Sequence, residues 1–184
     1  MLLRGFGRTK RAITRSFSSS QPVVAIPYDE LLSASTETLS TRIDAAYNHQ
    51  GLGLLLVTSL PILEMRARLL RLSQSLARLS DAEKGALETP EYHYSIGWSH
   101  GKERFMGEPD WSKGSFYANP IQDYLESSTK DAAGKYIRME NLWPKKTLPD
   151  LEPAYQEVGR FVRSVGLLLS RHLDSFVKSK NPNY

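Results

Sequence analysis

The sequence predicts an α+β fold, mostly helical, with one or two short strands. Three observations point there. Two long segments repeat apolar residues at alternating steps of three and four, and two short apolar runs are bounded by proline or glycine. The 184 residues are 40% hydrophobic, enough for one domain with a buried core. There is no cysteine, which excludes a disulfide framework, a thiolate metal site and a cysteine nucleophile, and leaves His, carboxylate and hydroxyl chemistry. The longest apolar runs, 52–57 and 166–169, fall far short of the roughly 18 to 20 residues a membrane span needs, so no transmembrane segment is expected.

Residues 1–20 read as an address rather than as part of the domain at 21–184. They hold Arg4, Arg8, Lys10, Arg11 and Arg15 among Leu2, Leu3, Phe6, Ile13 and Phe17, end in Ser18-Ser19-Ser20, and meet no acid before Asp29. That composition is the kind found in mitochondrial presequences, and Arg15-Ser16-Phe17 resembles a processing site. A mitochondrial location is therefore expected; without such an address the chain would be cytoplasmic. The segment also explains the net charge of +4, because setting aside its five basic residues leaves 19 basic against 20 acidic side chains. A phosphate-binding stripe, and with it a nucleic-acid partner, is not expected.

Along the domain, Val23 to Ile26 before Pro27 predicts a short strand. Ser35 or Thr36 caps a helix with Leu39, Ile43 and Ala46 on one face, stopped by Gly51 before the buried strand 52–57. From Pro61, a helix carries Ile62, Met65, Leu69, Leu72, Leu76 and Leu79 as one stripe. Ser80 and Glu83 form a capping-box pair that starts a short turn. Asp150 caps a last long helix whose stripe is Leu151, Tyr155, Val158, Val162, Val165, Leu169 and Phe176. Between Glu88 and Pro149 no sustained period appears, although the stretch is dense in Gly, Pro and aromatics. An irregular segment of that length is usually functional or incompletely supported.

That segment holds YSIGWSHGKE, Tyr94 to Glu103, and PDWSKGSFYANP, Pro109 to Pro120. The two strings resemble a characteristic region of iron(II)/2-oxoglutarate oxygenases related to isopenicillin N synthase. The order of the upstream elements, and the helix LEPAYQEVGRFVRSVGLLLSRHLDSFV from Leu151, are similar to the amino-terminal region of the same non-haem dioxygenase family. The resemblance covers the chain after residue 20. It implies a helical layer that docks beside a distorted jelly-roll barrel, a double-stranded β-helix. In the family that barrel carries a His-x-Asp pair and a distal His for Fe(II), with an Arg and a nearby Ser for 2-oxoglutarate. These residues do not include the barrel, so the chain is expected to be a truncated relative that is not catalytic alone.

His172-Leu173-Asp174 spells the ligand pair but lies on a predicted helix, where positions two apart point away from each other, and no later histidine completes a triad. A hydrogen-bonded structural histidine is expected there. Arg71-Leu72-Ser73 and Arg78-Leu79-Ser80 are likewise helical. His93 and His100, with Glu91 and Glu103 nearby, fit no metal spacing. No catalytic or metal-binding residue is assigned, and no cofactor is expected for this chain alone.

By the resemblance, the irregular segment lies against the barrel mouth. Tyr94, Ser95, Trp98, Lys102, Lys113 and Tyr117 then become substrate-binding candidates, offering stacking surfaces, hydrogen-bond donors and cations suited to a small organic acid. Equally, Tyr92, Trp98, Trp111 and Phe116 could be the small core of the loop itself, and the residues leave both open. A different class of function stays open as well. The apolar stripe of the 151–177 helix could bind another polypeptide, making the chain a noncatalytic interaction or oligomerisation module.

Overall fold

In the computed structural model the described residues are 22–130, 134–181 and 183; the presequence expected at 1–20 lies outside them. Strand β1 (Val24–Pro27) runs parallel to β2 (Leu55–Thr58), with Ile26 opposite Val57. The crossover between them is helical: α1 (Tyr28–Ser33), then α2 (Thr36–Tyr47). Ser35 caps α2, its hydroxyl accepting from the Thr38 amide at 3.3 Å. Of the expected run 52–57, only the part from Leu55 is strand, because Gly53 at φ +71° bends the entry. Ile26, Leu31, Leu39 and Ile43 are fully buried, each burial contributing about 1.5–3 kcal/mol. The outward face of this pair stays bare, with Leu54 and Leu56 each about half exposed.

Helix α3 (Leu63–Ala77) turns its expected stripe inward, with Leu76 buried and Leu69, Leu72 and Leu79 packed beside it. The capping box then starts α4 (Asp81–Gly85): the Ser80 amide donates to Glu83 Oε2 at 3.0 Å, while the Glu83 amide donates back to the Ser80 hydroxyl.

The stretch expected to be irregular holds further short strands, which corrects the count of one or two strands. Among the described residues it adds β3 (Gly97–His100), β4 (Arg104–Phe105), β5 (Glu108–Pro109), β6 (Gly114–Tyr117), β7 (Tyr124–Lys130) and β8 (Tyr136–Glu140). Strands β3 and β6 pair antiparallel, and β4 and β5 continue the same hairpin beyond them. At its tip Met106 and Gly107 both have positive φ, +52° and +89°, as a two-residue hairpin turn of the primed type requires. Strands β7 and β8 form a second hairpin in which Glu126 faces Arg138, opposite charges on neighbouring strands. The fold is thus mixed α and β, with five α-helices and four two-stranded sheets among the described residues, none of them closed into a barrel.

Helix α5 (Leu151–Lys180) holds the parts together. Its first turns enter one core through Leu151 and Tyr155, beside Leu76, Leu87, Trp98 and Trp143; further along, Phe161, Val165, Leu169 and Phe176 close the core of β1, α1 and α2. The expected stripe is therefore mostly interior, except that Val162 is 54% exposed. Asp150 stands at the cap position but makes no cap bond. Its backbone is already helical, and its carboxylate lies 3.5 Å from the Arg68 guanidinium. No helix of the described residues is long and apolar enough to cross a membrane.

Two glycines of α5 should respond oppositely to alanine. A Cβ at Gly159 would sit 2.2 Å from the Pro120 ring, whereas one at Gly166 meets nothing within 4 Å. Gly166→Ala is expected to gain about 1 kcal/mol from helix propensity. Gly159→Ala forfeits that gain, because forcing a methyl against a rigid ring costs about 1–3 kcal/mol. Thermal melts of the two variants against the parent should bracket it, with Gly159→Ala below and Gly166→Ala above.

Candidate functional site

The site begins where the chain turns into β3. After a 3₁₀ turn at Pro90–Tyr92, His93 and Tyr94 both take left-handed conformations, φ +52° and +58°, and the Tyr94 amide donates back to the Thr89 carbonyl. Thr89 is buried, and its hydroxyl donates to the Ile96 carbonyl at 2.6 Å, closing the loop on itself. Side chains then alternate along β3. Trp98 enters the core and Ser99 faces the other way.

On the Ser99 side lies a hollow of about 370 Å³ lined by His93, Tyr94, Ser95, Ser99, Lys102, Glu103 and Tyr117. Four of the six expected substrate-binding residues, Tyr94, Ser95, Lys102 and Tyr117, meet there. The Lys102 ammonium is 2.9 Å from Glu88 and lies over the Tyr94 ring, 5.3 Å from its centroid. Its hydrogen bond to Glu88 raises its pKa above the ordinary lysine value, so the cation persists through neutral pH. Lys113 is not in the lining. It stands beside the hollow, paired with Glu103 at 2.7 Å, and that bond likewise raises its pKa. Trp98 is turned away, 7% exposed, on the opposite face of the strand. Of the four aromatics weighed as a small core of the loop, Trp98 and Phe116 join the core shared with α3 and α5, while Trp111 is 66% exposed.

His93, Ser99 and Glu103 were not among the expected contacts. The alternation of β3 would have placed Ser99 opposite Trp98, had the strand been legible. A second polar feature was also missed. Asn141 is buried and locks β8 to the end of β6: its side chain accepts from the Asn119 amide at 2.8 Å and donates to the Asn119 carbonyl at 2.9 Å. Trp143 adds a bond from its indole N–H to Asp123 at 2.9 Å. Together these carry the chain from the hairpins into α5.

Among the described residues no three His, Asp or Glu side chains gather as a metal site would need. His172 is buried, and both of its ring nitrogens are used: Nε2 donates to the Leu31 carbonyl and Nδ1 meets the Thr36 hydroxyl, each at 3.0 Å. Because a carbonyl only accepts, Nε2 carries a proton, and in the neutral ring Nδ1 accepts from Thr36. Asp174, about 200° further around the helix, is exposed. His100 Nε2 donates to the Trp111 carbonyl at 3.0 Å. Of the two Arg-x-Ser pairs, Ser73 donates to the Leu69 carbonyl within α3 and Ser80 caps α4. Comparison with family models, with curated proteins and with solved structures returned no match to the chain.

Proposed function

We propose that this chain forms the substrate-facing amino-terminal layer of an iron(II)/2-oxoglutarate-dependent oxygenase related to isopenicillin N synthase. Catalysis then rests on a barrel outside these residues. The observation that carries the proposal is the convergence of Tyr94, Ser95, Lys102 and Tyr117, all from the two strings that resemble the family, on one hollow. An ammonium has three donors; Glu88 takes one from Lys102 and the Tyr94 side chain another, so one remains for the carboxylate of a small organic acid. The bare face of β1 and β2 supports the same view, because parallel strands ordinarily have both faces covered. Residues 1–20 are proposed to direct the protein to mitochondria, which a fluorescent fusion of residues 1–30 would show by its location.

Two measurements test the substrate layer. Titration with succinate as the probe should shift amide resonances around 93–103 and 115–117, and Lys102→Gln should weaken binding about tenfold, or ~1.4 kcal/mol. Shifts elsewhere, or an unchanged affinity, remove the hollow from the proposal. Anaerobic calorimetry with iron(II) and 2-oxoglutarate should show no stoichiometric binding to the chain alone. Tight binding of both would make the chain itself the oxygenase. The other function, a module presenting the α5 stripe to another polypeptide, loses most of its surface because Leu151, Tyr155, Val165, Leu169 and Phe176 pack within the chain.

A further inference from the structure

A second cavity, of about 400 Å³, lies between α3, the β3–β6 hairpin and the start of α5, on the face of β3 opposite the hollow. Its walls include Leu69, Leu76, Trp98, Phe116 and Leu151, three of which are otherwise buried in the core. Well-packed interiors seldom leave so much apolar space, and small-molecule sites combine such walls with a few polar groups. Here the polar side chains are Ser73, Lys84, His100 and Tyr155. Lys84 and His100 line both this chamber and a smaller polar recess that it adjoins, shared with Asp81 and Glu88.

We propose that this chamber binds a monocarboxylate with a compact apolar body, the body against Trp98 and Leu69 and the carboxylate at Lys84. The two lysines of the recess differ in how they are held. Lys102 is tied to a Glu88 side chain that is 24% exposed, whereas Lys84, itself only 19% exposed, is paired at 3.1 Å with a fully exposed Asp81. A pair with so exposed a carboxylate is screened by water and salt, and it yields readily to a ligand that brings its own apolar binding energy. One ammonium matches a head group of single charge. A phosphate dianion calls for a fork of donors such as arginine supplies, and no arginine lines the chamber. Gly114 keeps the space open. A Cβ there would lie 2.6 Å from the Trp98 indole and drive it inward. The proposal does not depend on the oxygenase assignment, since it uses the opposite face of the strand.

Calorimetric titration of the whole chain with decanoate, 3-phenylpropionate and the alcohol matching each acid tests it. At least one acid should bind about tenfold more tightly than its alcohol, and whichever acid is stronger identifies the body as alkyl or aryl. Lys84→Gln should erase that preference, Lys145→Gln, which changes an exposed ammonium away from the chamber, should leave it intact, and Ser73→Phe, which fills the chamber from an exposed helix position, should abolish binding of acid and alcohol alike. Failure of both acids to bind overturns the proposal. So does an alcohol that matches its acid, or a preference that survives Lys84→Gln. Lys84→Gln keeps a polar side chain of similar reach, so the test stands even if Ser73→Phe fails to fold.

Discussion

Replacing Gly97 by alanine is expected to cost about 3–5 kcal/mol of stability, near the top of what single substitutions do. Gly97 has φ +80°, and a Cβ there would lie 1.9 Å from the Leu87 carbonyl oxygen. That oxygen is not free to move, because it accepts from the Trp98 amide at 2.8 Å and so holds β3 against the end of α4. Alanine would add about 1–2 kcal/mol of left-handed strain, break a buried backbone bond and shift Trp98 out of its packing. The opposing effect, a less flexible unfolded chain, is worth only about 0.4–1 kcal/mol. Gly107 is the internal control, since its φ of +89° is equally left-handed but nothing lies within 4 Å of its Cβ position. Urea titrations should place Gly97→Ala far below the parent and Gly107→Asn close to it. Equal midpoints would mean that crowding at Leu87 is not what selects glycine.

His172→Ala is the second large effect, at about 3 kcal/mol. The imidazole is buried 141 residues along the chain from its Leu31 partner, and its two hydrogen bonds tie the far part of α5 to both α1 and α2. Alanine leaves a cavity and an unpaired Leu31 carbonyl at the end of a short helix, two costs that add. Thr36→Val removes only one partner of the ring and should cost about 1 kcal/mol. For a chain of this size, the histidine variant should melt roughly 6–12 °C lower and the threonine variant about 2–4 °C lower. A histidine variant no worse than the threonine one would show that the Leu31 bond contributes little.

These two positions show what the sequence made legible and what it did not. His172 was readable because it falls on the helical stripe with Val165 and Leu169, where a polar residue must be hydrogen-bonded. The helices were readable for the same reason: α2, α3 and α5 carry long apolar periods, while Ser35 announces the start of α2 and the Ser80–Glu83 pair that of α4. Gly97 was not readable, because the strand it opens is only four residues long and its neighbours Trp98 and Ser99 give a single alternation. The hairpin beyond it hides its turn, since Met106 occupies a left-handed position that asparagine or glycine normally marks. Among the described side chains of β7 and β8, Met139 is the one that is buried, so their alternation is faint. In the hollow, residue type pointed to Tyr94, Ser95, Lys102 and Tyr117. Composition could not say that Trp98 and Ser99 face opposite ways, which depends on a pleat that only pairing with β6 establishes.

Both hydrophobic cores wait on the same helix. One lacks Leu151 and Tyr155 until α5 arrives, and the other lacks Val165, Leu169 and Phe176. A ribosome makes α5 after the other elements of both cores, so those helices and hairpins emerge with their apolar faces uncovered. Nascent chains in that condition are aggregation-prone, and chaperones exist to shield them. Folding of both cores is therefore set off by the arrival of a single helix rather than built up element by element.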